Sequence, residues 1–254
     1  MSDLQLRFET ANTVMEEAAL LARQLFARRD SVVVEQKSAN DFVSDADRQV
    51  EQLIRDRLRE AFPQDAILGE EMGGEAGDSF WAIDPIDGTT NFLRGLPLWG
   101  ISIGYVENGL AMVGTIALPM LNLTLSAAIG CGVWRNGMPY RRQVPFSEVR
   151  LVALGESNKW AAAEVAMLDG YLRDEGWAVA RYRCATVGLG FAALGLTDGY
   201  VEKNTSIWDI AAGVVICTEA GLVVKYRGSY EVGGMHVATA IPDVQQIVEP
   251  FFSL

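Results

Sequence analysis

The chain has 254 residues, half of them hydrophobic and 21% charged. That is enough apolar material to bury a full core and too much for wholesale disorder. Thirty-three acidic residues against 21 basic ones leave a formal net charge of −12, a field that repels phosphate and excludes non-specific binding to nucleic acid or an anionic membrane surface.

Residues 4–28 place Leu4, Phe8, Val14, Ala18, Leu21 and Leu25 at helical spacing, which predicts an amphipathic first helix. Val32–Val34 reads as a short strand. Ser44 followed by Asp47 is a helix-capping pattern that opens a second helix, carried by Val50, Leu53, Ile54 and Leu58 and stopped by Pro63. Ala66–Leu68 and Phe80–Ile83 are short β-type runs, separated by the acidic, glycine-rich GEEMGGEAGD. Alternating segments near 98–106, 111–118, 122–129 and 132–135, punctuated by Asn-Gly at 108–109 and 136–137 and by Pro119, predict an antiparallel sheet. After Pro145 the pattern changes to strand 151–154, helix 160–173, strand 177–181, helix 186–196, strand 199–202, helix 208–220, strand 222–226 and helix 243–252. That alternation is an α/β half. Two halves, 1–145 and 146–254, are expected to pack closely, since no flexible connector separates them.

Cys131, Cys184 and Cys217 are odd in number, far apart and each in an apolar stretch, which predicts three buried thiols and a reducing compartment. The opening MSDLQLRFET has no long apolar segment, so no secretory signal is expected. No run reaches the roughly 18 apolar residues of a membrane span; a cytoplasmic protein is the expectation. A single histidine, His236, rules out a three-histidine zinc site and a histidine-phosphate phosphatase. The sixth positions after the three cysteines are Gly137, Gly190 and Val223, so a Cys-x5-Arg thiolate loop is absent, and no Gly-x4-Gly-Lys phosphate loop occurs.

Three acidic clusters follow apolar runs: Gly69-Glu70-Glu71, then Asp84-Pro85-Ile86-Asp87-Gly88-Thr89-Thr90, then Trp208-Asp209. Pro85 fixes φ between two carboxylates, Gly88 lets backbone approach a ligand, and Thr89-Thr90-Asn91-Phe92 looks like a helix start whose free N–H groups would hold an anion. One stretch thus offers two carboxylates and a phosphate cradle. Hard oxygen ligands of this kind select Mg²⁺.

The run Trp81–Phe92 resembles the first signature of the inositol monophosphatase family of Mg²⁺-dependent, lithium-sensitive phosphatases. Trp208-Asp209-Ile210-Ala211-Ala212-Gly213, continued by Thr218-Glu219-Ala220-Gly221, is similar to its second. Leu68-Gly69-Glu70-Glu71 and Asp41–Asp47 match two further blocks in order, and the likeness covers about residues 5–250. The resemblance implies a layered αβαβα sandwich of the inositol monophosphatase and fructose-1,6-bisphosphatase type: an α+β half, then an α/β half, with the site between them. It further implies that Glu70, Asp84 and the Ile86 carbonyl bind one Mg²⁺, while Asp84, Asp87 and Asp209 bind a second, in a site of two or three ions. Gly88 and Thr89 would give N–H groups to phosphate. Asp47, paired with the Thr89 hydroxyl, would act with Glu70 to deprotonate a metal-activated water, with no covalent intermediate. Lys37 matches a family lysine near the metals.

The resemblance places Glu202 and Arg183 at the substrate pocket, for inositol monophosphate or a similar small polyol phosphate. The segment from Arg183 to Glu202 departs from the family by being shorter and lacking its usual Gly-Ser/Thr-Ala order, so histidinol phosphate, fructose 1,6-bisphosphate and 3′-phosphoadenosine nucleotides stay open as substrates. Thr90 and Asn91 favour the inositol branch over the histidinol-phosphate branch. A homodimer and a regulatory protein partner are further implications. Direct nucleic-acid and membrane binding are not expected.

Four features read as structural. Gly188-Leu189-Gly190-Phe191-Ala192-Ala193 fits a loose dinucleotide fingerprint, but close helix packing explains its small residues. Trp81, Trp99, Trp134 and Trp208 are expected as core anchors. His236 is expected in a loop or at a strand edge, and Gly73–Asp78 as a surface loop.

Overall fold

The computed structural model describes residues 3–31, 34–38 and 41–252. Helix α1 (Asp3–Ala27) leads through a single 3-10 turn to a small antiparallel hairpin, β1 (Val34–Ser38) and β2 (Asp41–Ser44), and then helix α2 (Asp45–Ala61). Of the strand expected at Val32–Val34, only Val34 lies within the described residues, where it begins β1.

Seven strands follow: β3 (Ala66–Gly69), β4 (Ser79–Asp87), β5 (Gly100–Glu107), β6 (Leu110–Leu118), β7 (Leu123–Ala128), β8 (Val133–Arg135) and β9 (Met138–Tyr140). They pair in sequence order, β3 parallel to β4 and every later pair antiparallel. Both Asn-Gly pairs make tight hairpins because both residues take positive φ: Asn108 at 51° and Gly109 at 79°, Asn136 at 50° and Gly137 at 75°. A single-turn helix, α3 (Thr89–Leu93), is inserted between β4 and β5.

The second half runs β10 (Leu151–Leu154), α4 (Ala162–Asp174), β11 (Ala178–Ala180), α5 (Ala185–Leu194), β12 (Gly199–Thr205), α6 (Ile207–Glu219), β13 (Val223–Gly228), β14 (Met235–Ala240) and α7 (Pro242–Phe252). Its sheet is ordered β11-β10-β12-β14-β13, parallel at β10 and antiparallel at β14. The alternating pattern read from sequence missed β14, whose MHVATA follows a Gly-Gly turn and, buried at nearly every position, shows no clean apolar–polar alternation. His236 consequently lies on a strand paired on both sides, not in a loop or at a sheet edge.

Helices α1 and α2 cover one face of the seven-stranded sheet; α5 and α6 lie between its other face and the five-stranded sheet; α4 and α7 close the far side. The layering is αβαβα. Alternate residues of β4 feed different cores, Trp81 and Ile83 beneath α1 and α2, Phe80 and Ala82 against α5 and α6. A strand buried on both faces reads as one unbroken apolar run, which explains why Phe80–Ile83 shows no alternation. Helix α6 is buried almost all round from Ile207 to Cys217, as a helix between two sheets must be.

That burial needs small residues. A Cβ at Gly114 of β6 would sit 2.2 Å from the Ala212 carbonyl oxygen of α6, and one at Gly188 of α5 would sit 2.2 Å from the Tyr200 ring. The glycines of the dinucleotide-like stretch are therefore packing residues inside a helix. Trp81, Trp99 and Trp208 are buried, whereas Trp134 is half-buried and packs on Phe8. Cys184 and Cys217 are buried but Cys131 is exposed, in the turn after β7 rather than in the core. Among the described residues no helix is long and apolar enough to cross a membrane.

Candidate active site

The acids separated in sequence converge where the two halves meet. One pocket of about 240 Å³ is lined by Glu70, Asp84, Ile86, Asp87, Gly88 and Thr89 from the first half and by Arg183, Glu202 and Asp209 from the second. Asp47 is fully buried behind Thr89, with its Oδ1 3.4 Å from the Thr89 hydroxyl. Lys37 lies on β1, and its side chain falls outside the described residues.

Strand β4 runs on through Pro85 to Asp87, so the two aspartates lie on the strand rather than beyond its end. Residues three apart on a regular strand face opposite ways. Here Asp84 pairs with Ser102 and Asp87 with Gly100, three residues against two. That extra residue is a bulge, tolerated because Pro85 has no N–H to give the ladder, and it turns both carboxylates to one pocket. Gly88 follows at φ 85° as the N-cap of α3. The first N–H groups of that turn have no partner within the helix.

Asp47 and Asp209 share a design. Each is the third residue of a helix whose N-cap is serine, and each accepts a hydrogen bond from that serine's backbone N–H at 2.8 Å, Ser44 for Asp47 and Ser206 for Asp209. The capping box thereby fixes the side chain of a site acid. Thr205 adds a 2.6 Å hydroxyl hydrogen bond to Asp209. Asp87 is held by the Thr186 N–H at 2.5 Å and by the Cys184 thiol at 3.3 Å, both from the start of α5. The Ile86 N–H donates to Asp84 at 3.0 Å, and the Ile86 carbonyl lies 3.2 Å from the Thr89 hydroxyl.

Burial pushes Asp84 well above the usual carboxylate range, and the charges of Glu70, Asp87 and Asp209 add to the effect. Asp87 is raised to about 7, first by burial and then by Asp209. Asp209 is raised by burial against the pull of its Thr205 and Ser206 donors. Asp84 is within hydrogen-bonding reach of both Glu70 and Asp209, so these carboxyls stand close enough to share protons. No three His, Cys, Asp or Glu side chains among the described residues enclose an ion as they stand. The donor set is nonetheless all oxygen, anionic and self-repelling, which is what a hard dication relieves.

At the far side, Glu202 is raised to about 8 by burial and accepts a 2.6 Å hydrogen bond from the Tyr200 hydroxyl. Arg183 takes a positive φ of 54°, and its guanidinium lies 3.7 Å from Glu156. Glu156, Ser157, Asn158, Lys159 and Asn204 complete a polar rim. Sequence reading missed that rim and the Thr186 contact with Asp87, 99 residues away, because both depend on elements far apart in the chain; the Tyr200–Glu202 contact is local to β12 and was also missed.

The sequence profile of the inositol monophosphatase family matches residues 3–249. The chain belongs to this family of phosphatases. Among relatives, a Nus factor SuhB from Pasteurella multocida is 34% identical over 88% of this chain and 87% of its own. A fructose-1,6-bisphosphatase/inositol-1-monophosphatase from Thermotoga maritima is 36% identical over 77% and 76%. Among solved structures, the Thermotoga maritima IMPase superposes with a TM-score of 0.82 at 29% identity, covering 96% of this chain and 95% of that one. The extragenic suppressor protein suhB of Bartonella henselae gives 0.85 at 26%, covering 95% and 96%. The inositol monophosphatase fold and its layers are thus those expected from the motifs.

Proposed function

We propose that this inositol monophosphatase family member is a Mg²⁺-dependent phosphomonoesterase acting on inositol monophosphate or a similar small polyol phosphate, with water as nucleophile and no covalent intermediate. The observation that carries the reading is the gathering of Glu70, Asp84, Asp87 and Asp209 with Gly88 and Thr89 in one pocket. Glu70, Asp84, Asp87, Asp209 and the Ile86 carbonyl would hold the ions. Bound divalent ions supply the positive charge that lets a phosphate dianion enter a pocket of carboxylates, and they lower the pKa of water.

The side chains then have separable tasks. The Thr89 hydroxyl reaches both Asp47 and the Ile86 carbonyl; with its hydrogen directed at Asp47, its oxygen can accept a hydrogen bond from water, and as water gives up that proton the hydroxyl would pass its own to Asp47. Glu70, which lines the same pocket, would be a second acceptor. The N–H groups of Gly88 and Thr89, at the start of α3 and on the pocket wall, would donate to the phosphate, as helix-start donors do. Glu202 is positioned to bond a polyol hydroxyl, with Arg183 at the rim. The thiol and serine hydroxyls among the described pocket residues are otherwise engaged: burial and the Asp87 charge push the Cys184 thiol well up, Ser157 donates to the Asn204 carbonyl, and Ser206 accepts from the Gly233 N–H.

Phosphate release tests this directly, with Mg²⁺ and with chelator, from inositol monophosphate, histidinol phosphate, fructose 1,6-bisphosphate and a 3′-phosphoadenosine nucleotide. Turnover of inositol monophosphate that is lost in chelator and in Asp84→Asn is expected. Turnover of another member of the panel moves the substrate and keeps the chemistry. No release from any of them by a folded protein would sink the enzyme reading for this panel.

A second reading is favoured by relatives that carry the name Nus factor SuhB: a regulatory protein partner in addition to catalysis, with the chain acting as a homodimer. Asp84→Asn that still retains a specific protein partner would support it, and sedimentation would report the dimer.

A further inference from the structure

Helix α2 carries a second pair of charged residues that the catalytic reading leaves without a task. Glu51 is fully buried and Arg55 nearly so, and the two meet at 2.7 Å. Among the described residues, their hydrogen bonds beyond each other go to the turn that bears Glu70 and to strand β3 just before it. Glu51 Oε2 accepts the Glu71 N–H at 2.8 Å and Oε1 accepts the Met72 N–H at 3.1 Å. Arg55 donates to the Gly73 carbonyl and, at 3.5 Å, to the Ile67 carbonyl. Gly69 lets this happen, since a Cβ there would sit 2.3 Å from Glu51 Oε1. The turn is closed on itself by the Gly69 N–H bonding the Gly73 carbonyl.

We propose that the Glu51–Arg55 pair is a positioning device that sets Glu70 for metal binding and locks it in register with Asp47, one turn earlier on the same helix. This rests on the reading of Glu70 as a metal-holding acid. A buried ion pair is weak as a source of stability, because desolvation offsets the attraction. Its value here is directional. Three donors face Glu51 (the Arg55 Nε–H and two backbone N–H groups), so only a carboxylate satisfies all of them. Glutamine in its place would turn an NH₂ group onto a donor. Groups that orient a metal ligand are worth about 10–100-fold in metal affinity.

The test uses the full chain, Mn²⁺ as the probe, and calorimetry at a temperature well below each variant's unfolding midpoint. Glu51→Gln should weaken Mn²⁺ binding about 10–100-fold and speed amide exchange at Glu71 and Met72. The KM for the phosphomonoester at saturating Mg²⁺ should stay near wild type. Arg55→Lys keeps the charge but loses the fork that reaches two carbonyls, and should fall between. Arg57→Gln, an exposed position on the same helix paired with Glu17, should bind as wild type. Wild-type Mn²⁺ affinity in folded Glu51→Gln, with exchange accelerated, would make the pair a structural brace and overturn the proposal. If Glu51→Gln does not fold, Arg55→Lys decides on the same readout, wild-type affinity again overturning it. Glu70→Gln separates the two ideas: wild-type Mn²⁺ affinity there would overturn the role of Glu70 itself.

Discussion

Thr89 hangs on a single donor bond to one of two acceptors, and Asp47 is buried at its back. If this pair prepares the water, Asp47→Asn should cut phosphate release roughly 10²–10⁴-fold at saturating Mg²⁺ with KM little changed, since a positioned acid–base group contributes that much. A loss in KM alone would mean that Asp47 serves binding. Glu202 predicts a pH dependence. Its folded pKa of about 8 lies above the roughly 4.3 of an unfolded glutamate. As pH rises through that window, the unfolded chain gives up a proton that the folded chain keeps, so the folded state loses stability. Asp87, raised to about 7, acts in the same direction. In chelator the unfolding midpoint should therefore fall from about pH 5 to about pH 8, and Glu202→Gln should flatten the upper part of that fall. A midpoint that rose over this range would contradict the assignment.

At the scale of elements, the site is made by helix starts and one bulge. Helices α2 and α6 each begin with Ser-x-x-Asp, and in each the aspartate is a site acid. Ser206 also accepts the Gly233 N–H at 3.0 Å. Ser206→Ala should cost about 1 kcal/mol as a lost cap but leave activity near wild type, because Asp209 keeps the Ser206 backbone N–H and the Thr205 hydroxyl as donors. Denaturant unfolding and phosphate release check the two expectations separately. The approach of α6 to the sheet is set by Gly114, where a Cβ would collide with the Ala212 carbonyl. Gly114→Ala should destabilise by about 1–3 kcal/mol or more, as overpacking of a rigid contact does. The displaced α6 should carry Asp209 with it and weaken metal binding.

For the whole molecule, the same field that keeps this acidic chain off phosphates must be reversed locally for it to work on one. Asp84 and Asp87 come from the seven-stranded sheet, Asp209 from the helix between the sheets, and Glu202 from the five-stranded sheet. Ions held among the first three, as proposed, would fasten the two sheets and the helix between them only in the folded state. Mg²⁺ at 100 times its dissociation constant should then add about 2.7 kcal/mol to stability. The gain should vanish in chelator and in Asp84→Asn, as thermal unfolding would show. Equal midpoints with and without Mg²⁺ would argue that no ion sits there.

The elements and the acids were largely legible in the chain, because both are local. Helical spacing placed α1 and α2, the Asn-Gly pairs placed two hairpins, and the carboxylates stood in short motifs after apolar runs. What the order of residues could not decide was orientation and company. Whether Asp84 and Asp87 face one pocket depends on a bulge that exists only against Gly100 and Ser102 of the next strand. The partners of Asp87 lie 97 and 99 residues away, at Cys184 and Thr186. Glu51 and Arg55 look like an ordinary surface pair at helical spacing until the turn after β3 folds over them. Strand β14 is buried at nearly every position, so it shows no clean alternation, and is recognised only by its neighbours on both sides. Sequence determined which groups this protein has to work with, since residue type and local spacing are written in the chain. Tertiary structure decided which of them are buried together, and burial with like charges is what turns ordinary carboxylates into a site that calls for a cation.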